Sequence, residues 1–215
     1  MQEHILLKPQ FEKFAENVHE IYKQAKAWDP RNNISESIVV FELAKHIKQH
    51  WNNLSVVLEE PYPNSKRNNR CDIVVCDANS EEEWKFALEA KYLFVRGAGT
   101  PAKSDVRKGL INDIARLAKI SGETKRYLLW VFETPEKSAR NRVKYKPGKN
   151  FIANYERDFE KLLYYQQAIK VNGHTIKCLF YKQLQVEKIV LPYDKGDPLI
   201  LKPGTLDFYL LYLQT

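Results

Sequence analysis

The sequence predicts an α/β chain whose core runs helix, strand, strand, strand, helix, strand over residues 34–133. A further helix precedes this core, and an α+β elaboration covers 134–215. Two patterns carry the prediction. Apolar residues recur at helical intervals in 11–28, 34–51 and 104–120. Between and after them come short β-branched and aromatic runs, bounded by Pro, Gly, Asn and Asp. Composition adds a third constraint: 44% hydrophobic and 28% charged residues describe an ordinary globular chain and exclude disorder. No linker-like segment divides the 215 residues, so 1–215 reads as a single domain.

Each element has its own signal. In "FEKFAENVHEIYKQAKAW", Phe11, Phe14, Val18, Ile21 and Tyr22 form one helical stripe, which "WDPRNN" ends. The second helix, "ISESIVVFELAKHIKQHW", has Ser35 as its cap and Val39, Val40, Leu43 and Ile47 as its apolar face. "LSVVLEEPYP" is a strand stopped by Pro61 and Pro63. "CDIVVCD" and "WKFALEAKYLFV" are two strands joined through "DANSEE", a turn composition. "GAGTPAKS" is a loop, and Ser104 is the expected cap of a helix that turns Val106, Leu110, Ile114 and Leu117 inward. "RYLLWVFE" is a buried strand. A helix near 151–170, strands near 174–181 and 185–191, and a core-packed "TLDFYLLYLQT" complete the expectation. Trp28, Trp51, Trp84 and Trp130 are expected in the core or at helix ends.

Lys and Arg exceed Asp and Glu by 34 to 27, a formal charge of +7 that favours polyanionic partners. The excess is concentrated. "KSARNRVKYKPGK", 137–149, holds six cations and no acid, and "SKRNNR", 65–70, holds three. Cys71, Cys76 and Cys178 form no disulfide framework, and the five-residue spacing of the first two puts them on opposite strand faces, unlike a metal pair. No apolar run approaches the roughly 20 residues that a membrane span needs. The start of the chain lacks a cleavable signal pattern, so a cytoplasmic protein without a membrane partner is expected.

The strand "WKFALEAKYLFV" carries Glu89 and Lys91 inside the most apolar stretch of the chain. Residues two apart share a strand face, so the two charges point the same way. Burying either is costly unless it is paired. Pairing the preceding strands symmetrically about the turn makes partner numbers sum to 161, which puts Asp72 opposite Glu89. Two opposed carboxylates repel, and a divalent cation removes the objection. Hard oxygen donors on neighbouring strands suit Mg²⁺, with Lys91 placed to help neutralise the site. The ordinary alternative is an exposed salt bridge on a solvated sheet face.

Asp72 followed by Glu89-Ala90-Lys91, in this strand order, resembles the PD-(D/E)XK nuclease superfamily. Residues 34–133, just under half the chain, match its core of helix, three strands, helix and strand. Arg70 and Cys71 precede Asp72, so the proline of the family's name is absent. The resemblance implies a restriction endonuclease-like fold, a mixed sheet flanked by helices. It also implies Mg²⁺, with Mn²⁺ as a substitute, bound by Asp72 and Glu89 with the Ala90 carbonyl, and Lys91 as the catalytic lysine. The family often supports its metal with a glutamate on the first core helix. Glu36 fits that position, and Glu42 is the second choice.

The expected activity is Mg²⁺-dependent hydrolysis of DNA phosphodiesters by an endonuclease. A restriction or defence enzyme, as a homodimer cutting both strands, and a structure-specific repair or recombination nuclease are the subclasses considered. A non-catalytic nucleic-acid-binding module on the same fold, and an interaction protein with a coincidental E-x-K, are the other classes. Lys66, Arg67, Arg70, Arg140, Arg142, Lys144 and Lys146 would hold the nucleic-acid backbone, with Lys108 and Arg116 contributed by the helix at 104–120. Asp113 on that helix is expected either to face substrate or to pair with Arg116 on a solvated face. Tyr145, Phe151 and Tyr155 offer rings for stacking on bases.

Rival motifs are weaker. "GAGTPAKS" approximates a phosphate loop but has Ala102 where the second glycine belongs, so no nucleotide triphosphate is expected. His46 and His50 share a helical face without a third ligand and read as surface residues. His4, His19 and His174 form no nucleophilic triad with a serine.

Overall fold

A computed structural model of the chain describes residues 4–30, 32–63, 69–78, 80–93, 103–135, 168–171, 173–191 and 200–214. The described elements are α1 (Lys8–Trp28), α2 (Glu36–His50), β1 (Leu54–Pro61), β2 (Arg70–Asp77), β3 (Ser80–Leu93), α3 (Lys103–Ala118), β4 (Lys125–Pro135), β5 (Ile169–Val171), β6 (His174–Leu191) and β7 (Ile200–Gln214). From α2 to β4 the order is helix, strand, strand, strand, helix, strand. The strands form one mixed sheet of seven, ordered β1-β2-β3-β4-β7-β6-β5. Among the described strands, only β3 and β4 pair in parallel, across the α3 connection, as a parallel pair requires.

Strand alternation decides the layers. Ile73, Val75, Leu88, Ala90, Leu129 and Leu210 face the cluster that includes Phe11, Phe14 and Val18 of α1 and Val39, Leu43 and Ile47 of α2. Val74, Cys76, Ala87, Leu128, Trp130 and Leu211 face Ile114 and Leu117 of α3. The sheet is thus covered on both faces by helices, and its central strands are apolar on both sides. The second helix starts at Ser35, whose side chain accepts from the Ile38 amide at 3.4 Å.

The C-terminal part extends the same sheet. β7 runs antiparallel to β4 from Arg126↔Leu213 to Pro135↔Gly204, so "TLDFYLLYLQT" is an interior strand. The two strands expected near 174–181 and 185–191 are one. β6 continues from His174 to Leu191, and register shifts at Cys178/Phe180 and Val186/Ile189 absorb the irregularity that reads as a break. Residues 136–167 lie outside the described residues. The basic segment 137–149, the rings of Tyr145, Phe151 and Tyr155 and most of the helix expected near 151–170 therefore do too; the end of that helix is corrected, since Ile169 and Lys170 belong to strand β5.

Several local expectations are corrected. Trp28 stands at the end of α1, one of the two places expected, but is 86% exposed there and does not pack. Trp130 is buried, and Trp51 and Trp84 pack partly buried against the two clusters. Ser104 lies inside α3, which begins at Lys103. Cys71 and Cys76 are both buried free thiols of the α3-side cluster. Strand parity fails for Cys71, whose Sγ lies 3.4 Å from the Leu88 carbonyl, the nearer of two acceptors in its reach. His46 is buried, 3% exposed, with Asn17 Nδ2 donating to its Nε2 at 3.1 Å. Among the described residues, no helix is long and apolar enough to cross a membrane.

Leu129 is fully buried between Ala90 of β3 and Leu210 of β7. Leu129→Ala is expected to lower the unfolding free energy by roughly 2–5 kcal/mol, read as a lower midpoint in urea denaturation.

Candidate active site

The site originates where two strands part. β2 and β3 pair through Val75↔Phe86, Val74↔Ala87 and Ile73↔Leu88, each summing to 161 as expected. The ladder between them stops there. β2 continues against β1 to Pro61↔Arg70, while β3 continues against β4 to Leu93↔Phe132. Asp72 and Glu89 flank the opening that results. Across β2 from Asp72 the β1 chain is also irregular, because Glu59 adopts φ 54° between the Leu58↔Ile73 and Glu60↔Cys71 pairs.

The parting strips β3 of its partner on one side, and two carboxylates take over. The Ala90 amide donates to Asp72 Oδ2 at 2.7 Å, and the Tyr92 amide donates to Glu36 Oε2 at 3.1 Å. Glu36 reaches this edge because it opens α2, where the helix N-terminus favours a negative charge. In an extended strand the N–H and C=O of one residue project to the same side, so the Ala90 carbonyl faces the opening as well. Tyr92 ties the arrangement down from below: its hydroxyl donates to the buried Glu133 Oε1 at 2.7 Å.

Charges converge on this edge from three elements. Lys91 Nζ lies 3.3 Å from Glu36 Oε1 and 3.6 Å from Asp113 Oδ2. Arg116 Nη2 lies 3.2 Å from Glu89 Oε1 and also bonds Asp113 Oδ1. Tyr62, just beyond β1, donates its hydroxyl to the same Glu89 oxygen. Glu89 is 1% exposed and Asp113 2%. Among the described residues, four carboxylates (Glu36, Asp72, Glu89, Asp113) thus meet two cations (Lys91, Arg116), a formal deficit of two positive charges around the buried Glu89 and Asp113.

The ionisation equilibria register the deficit. Burial, and then the charge of Asp72, push the Glu89 carboxyl up to about 8. Burial also raises Asp113, against the pull of Lys91 and Arg116. For Lys91, burial acts to lower the pKa, but Asp113, Glu36, Asp72 and Glu89 outweigh it and the ammonium is held above its ordinary value. Arg116 behaves likewise, with Glu89 and Asp113 overcoming its burial.

No family model, curated protein or solved structure matches the chain. The geometry is therefore the whole basis for reading the site.

Of the residues selected from sequence, Asp72, Glu89, Ala90, Lys91, Glu36 and Arg116 come together at this edge. Glu42 does not. It is buried six residues further along α2 and pairs with Lys45 at 2.9 Å. Arg70 is exposed, and its Nη1 donates to the Glu59 carbonyl at 2.6 Å. Lys66, Arg67, Arg140, Arg142, Lys144 and Lys146 lie outside the described residues, as does the side chain of Lys108. Asp113 pairs with Arg116 as one reading supposed, but it faces the sheet and not solvent. Leu110, Asp113, Ile114 and Leu117 are spaced as one inward helical stripe, a signal that could have placed Asp113 inside. Tyr62 carried no such signal, since its contact with Glu89 spans 27 residues.

Among the described residues, no group of three or more His, Cys, Asp or Glu side chains is arranged to hold a metal ion. Asp72, Glu89 and Glu36 face protein donors instead. Their chemistry nonetheless fits a hard divalent cation: two carboxylates and a backbone carbonyl at one opening, in a cluster with more carboxyl groups than cations among the described residues. Neutralising Glu89 should then relieve the metal-free protein. Glu89→Gln is expected to raise stability in chelator by about 2 kcal/mol, measured by thermal or urea unfolding. A lower stability would show that Glu89 is satisfied as it stands.

Proposed function

We propose that the chain is a metal-dependent DNA endonuclease of the PD-(D/E)XK type, on a restriction endonuclease-like core. The observation that carries this reading is the buried, cation-poor carboxylate cluster around Lys91, at the edge where β2 leaves β3. The helix, strand, strand, strand, helix, strand order from α2 to β4 supports it.

Asp72 and Glu89, with the Ala90 carbonyl and Glu36 beside them, would hold Mg²⁺ or its substitute Mn²⁺. When bound, such a cation lowers the pKa of a water and offsets negative charge on phosphate. In hydrolysis a water oxygen bonds to phosphorus, the bond to the leaving ester oxygen breaks, and that oxygen departs with a proton. Negative charge on the phosphoryl oxygens rises on the way. Lys91 is suited to meet that charge. Its ammonium is kept protonated by Asp113 and Glu36, so it serves as donor and counter-charge and not as base. Glu36 and Asp113 act by positioning, fixing Nζ from two sides. The segments 65–70 and 137–149 would hold the DNA backbone, making binding strongly dependent on salt. Lys66, Arg67, Arg70, Arg140, Arg142, Lys144 and Lys146 supply those cations, and Lys108 adds to them. A homodimeric restriction or defence enzyme and a structure-specific repair nuclease are both compatible with this chemistry.

A non-catalytic DNA-binding module is the second reading, favoured by one observation: Glu89 Oε1 is already taken by Tyr62 and Arg116. Supercoiled plasmid, incubated with Mg²⁺, Mn²⁺ or chelator, separates the two. Wild type should nick it only with metal, and Lys91→Ala should lose at least about 100-fold in rate. Equal cutting by both proteins would contradict the site. No cutting of plasmid, branched or single-stranded DNA by wild type would favour the module.

A further inference from the structure

Arg116 holds its carboxylates in an incomplete way. An arginine dedicated to a carboxylate offers two parallel N–H donors. Here one nitrogen, Nη2, serves both Glu89 Oε1 and Asp113 Oδ1, while the buried Nε has no hydrogen-bond partner. The side chain is 31% exposed, against 2% for each carboxylate it touches, and its guanidinium lies 5.9 Å over the Tyr62 ring. It is therefore more open to solvent than the carboxylates it holds, and its ion pairs with both run through one nitrogen.

Lys91 is different. It rises from β3 itself and is held by Glu36 and Asp113 from two helices, without a contact to Glu89 among the described ion pairs. Of the two cations, Arg116 contacts Glu89, whereas Lys91 contacts Glu36, the supporting carboxylate.

From this we infer that Arg116 is a resident counter-cation of Glu89, which a divalent metal ion displaces. The inference rests on the metal-site reading above. In the metal-free protein Arg116 neutralises Glu89 and Asp113. On cation binding its Nη2 gives up Glu89 but keeps Asp113, its neighbour one turn earlier on α3. The freed guanidinium, with Nε unpaired, then presents donors to a phosphate oxygen at the mouth of the site. No bond is made or broken covalently; one ion pair is exchanged for another.

Displacement has a consequence that a supporting role does not. A residue that competes with metal weakens its binding, whereas one that orients Glu89 for metal strengthens it. Titration of the purified full chain with Mn²⁺, followed by calorimetry and by the loss of free Mn²⁺ resonance, reads the sign without activity. Arg116→Gln should bind Mn²⁺ about tenfold more tightly than wild type. Arg116→Lys, which keeps the charge but not the reach, should fall between them. Circular dichroism establishes that each variant is folded, and the Lys variant still decides the order if the Gln variant is not. Mn²⁺ uptake by wild type that Arg116→Gln leaves equal or weakens would overturn the displacement alone. No uptake by wild type or either variant would overturn the metal reading and the displacement with it.

Discussion

The separation of β2 from β3 at Asp72 is the constraint on which the site depends. Up to Ile73↔Leu88 the two strands satisfy each other's backbone, and beyond it β3 has no strand on that side. Buried amides left without acceptors are costly. Those of Ala90 and Tyr92 are satisfied by the side chains of Asp72 and Glu36. One geometric event therefore does two things. It opens a gap in an otherwise closed sheet, and it draws carboxylates from β2 and α2 to the rim of that gap. The Glu133–Tyr92 bond holds the same strand segment from the opposite face.

The remainder of the cluster follows from electrostatics. Carboxylates gathered for their hydrogen bonds repel one another, and Glu89 adds a further charge from β3 itself. Lys91 and Arg116 reduce the repulsion, and burial first, then the charge of Asp72, makes Glu89 hold its proton more tightly. A purely structural ion-pair network would be expected to balance its charges, since a buried uncompensated charge is destabilising. The imbalance among the described residues is the ground for proposing an external cation. The burial of Asp113 under α3 places the supporting carboxylate where solvent cannot screen it.

Much of this was legible in local sequence, because strand pairing and side-chain alternation are short-range rules. The sum-to-161 register holds for three consecutive pairs, although Cys76↔Trp84 and Asp77↔Ser80 slip near the turn, where a bulge absorbs the mismatch. The facing of Glu89 and Lys91 with Ala87 follows from parity alone. Glu36 was preferred to Glu42 by position, and it is Glu36 that meets Lys91. What escaped depends on distance in the chain. Tyr62 meets Glu89 only after β1 and β2 have paired, and His46 is buried only because α1 packs across α2 to bring Asn17 to it.

The central claim is that the opening between Asp72 and Glu89 receives a divalent cation. Anomalous diffraction from crystals soaked in Mn²⁺ tests it most directly. The account predicts a peak bounded by the carboxylates of Asp72 and Glu89 and the Ala90 carbonyl, with Arg116 withdrawn from Glu89. Crystals in which that position shows no peak, with Arg116 still bound to Glu89 at saturating Mn²⁺, would contradict it.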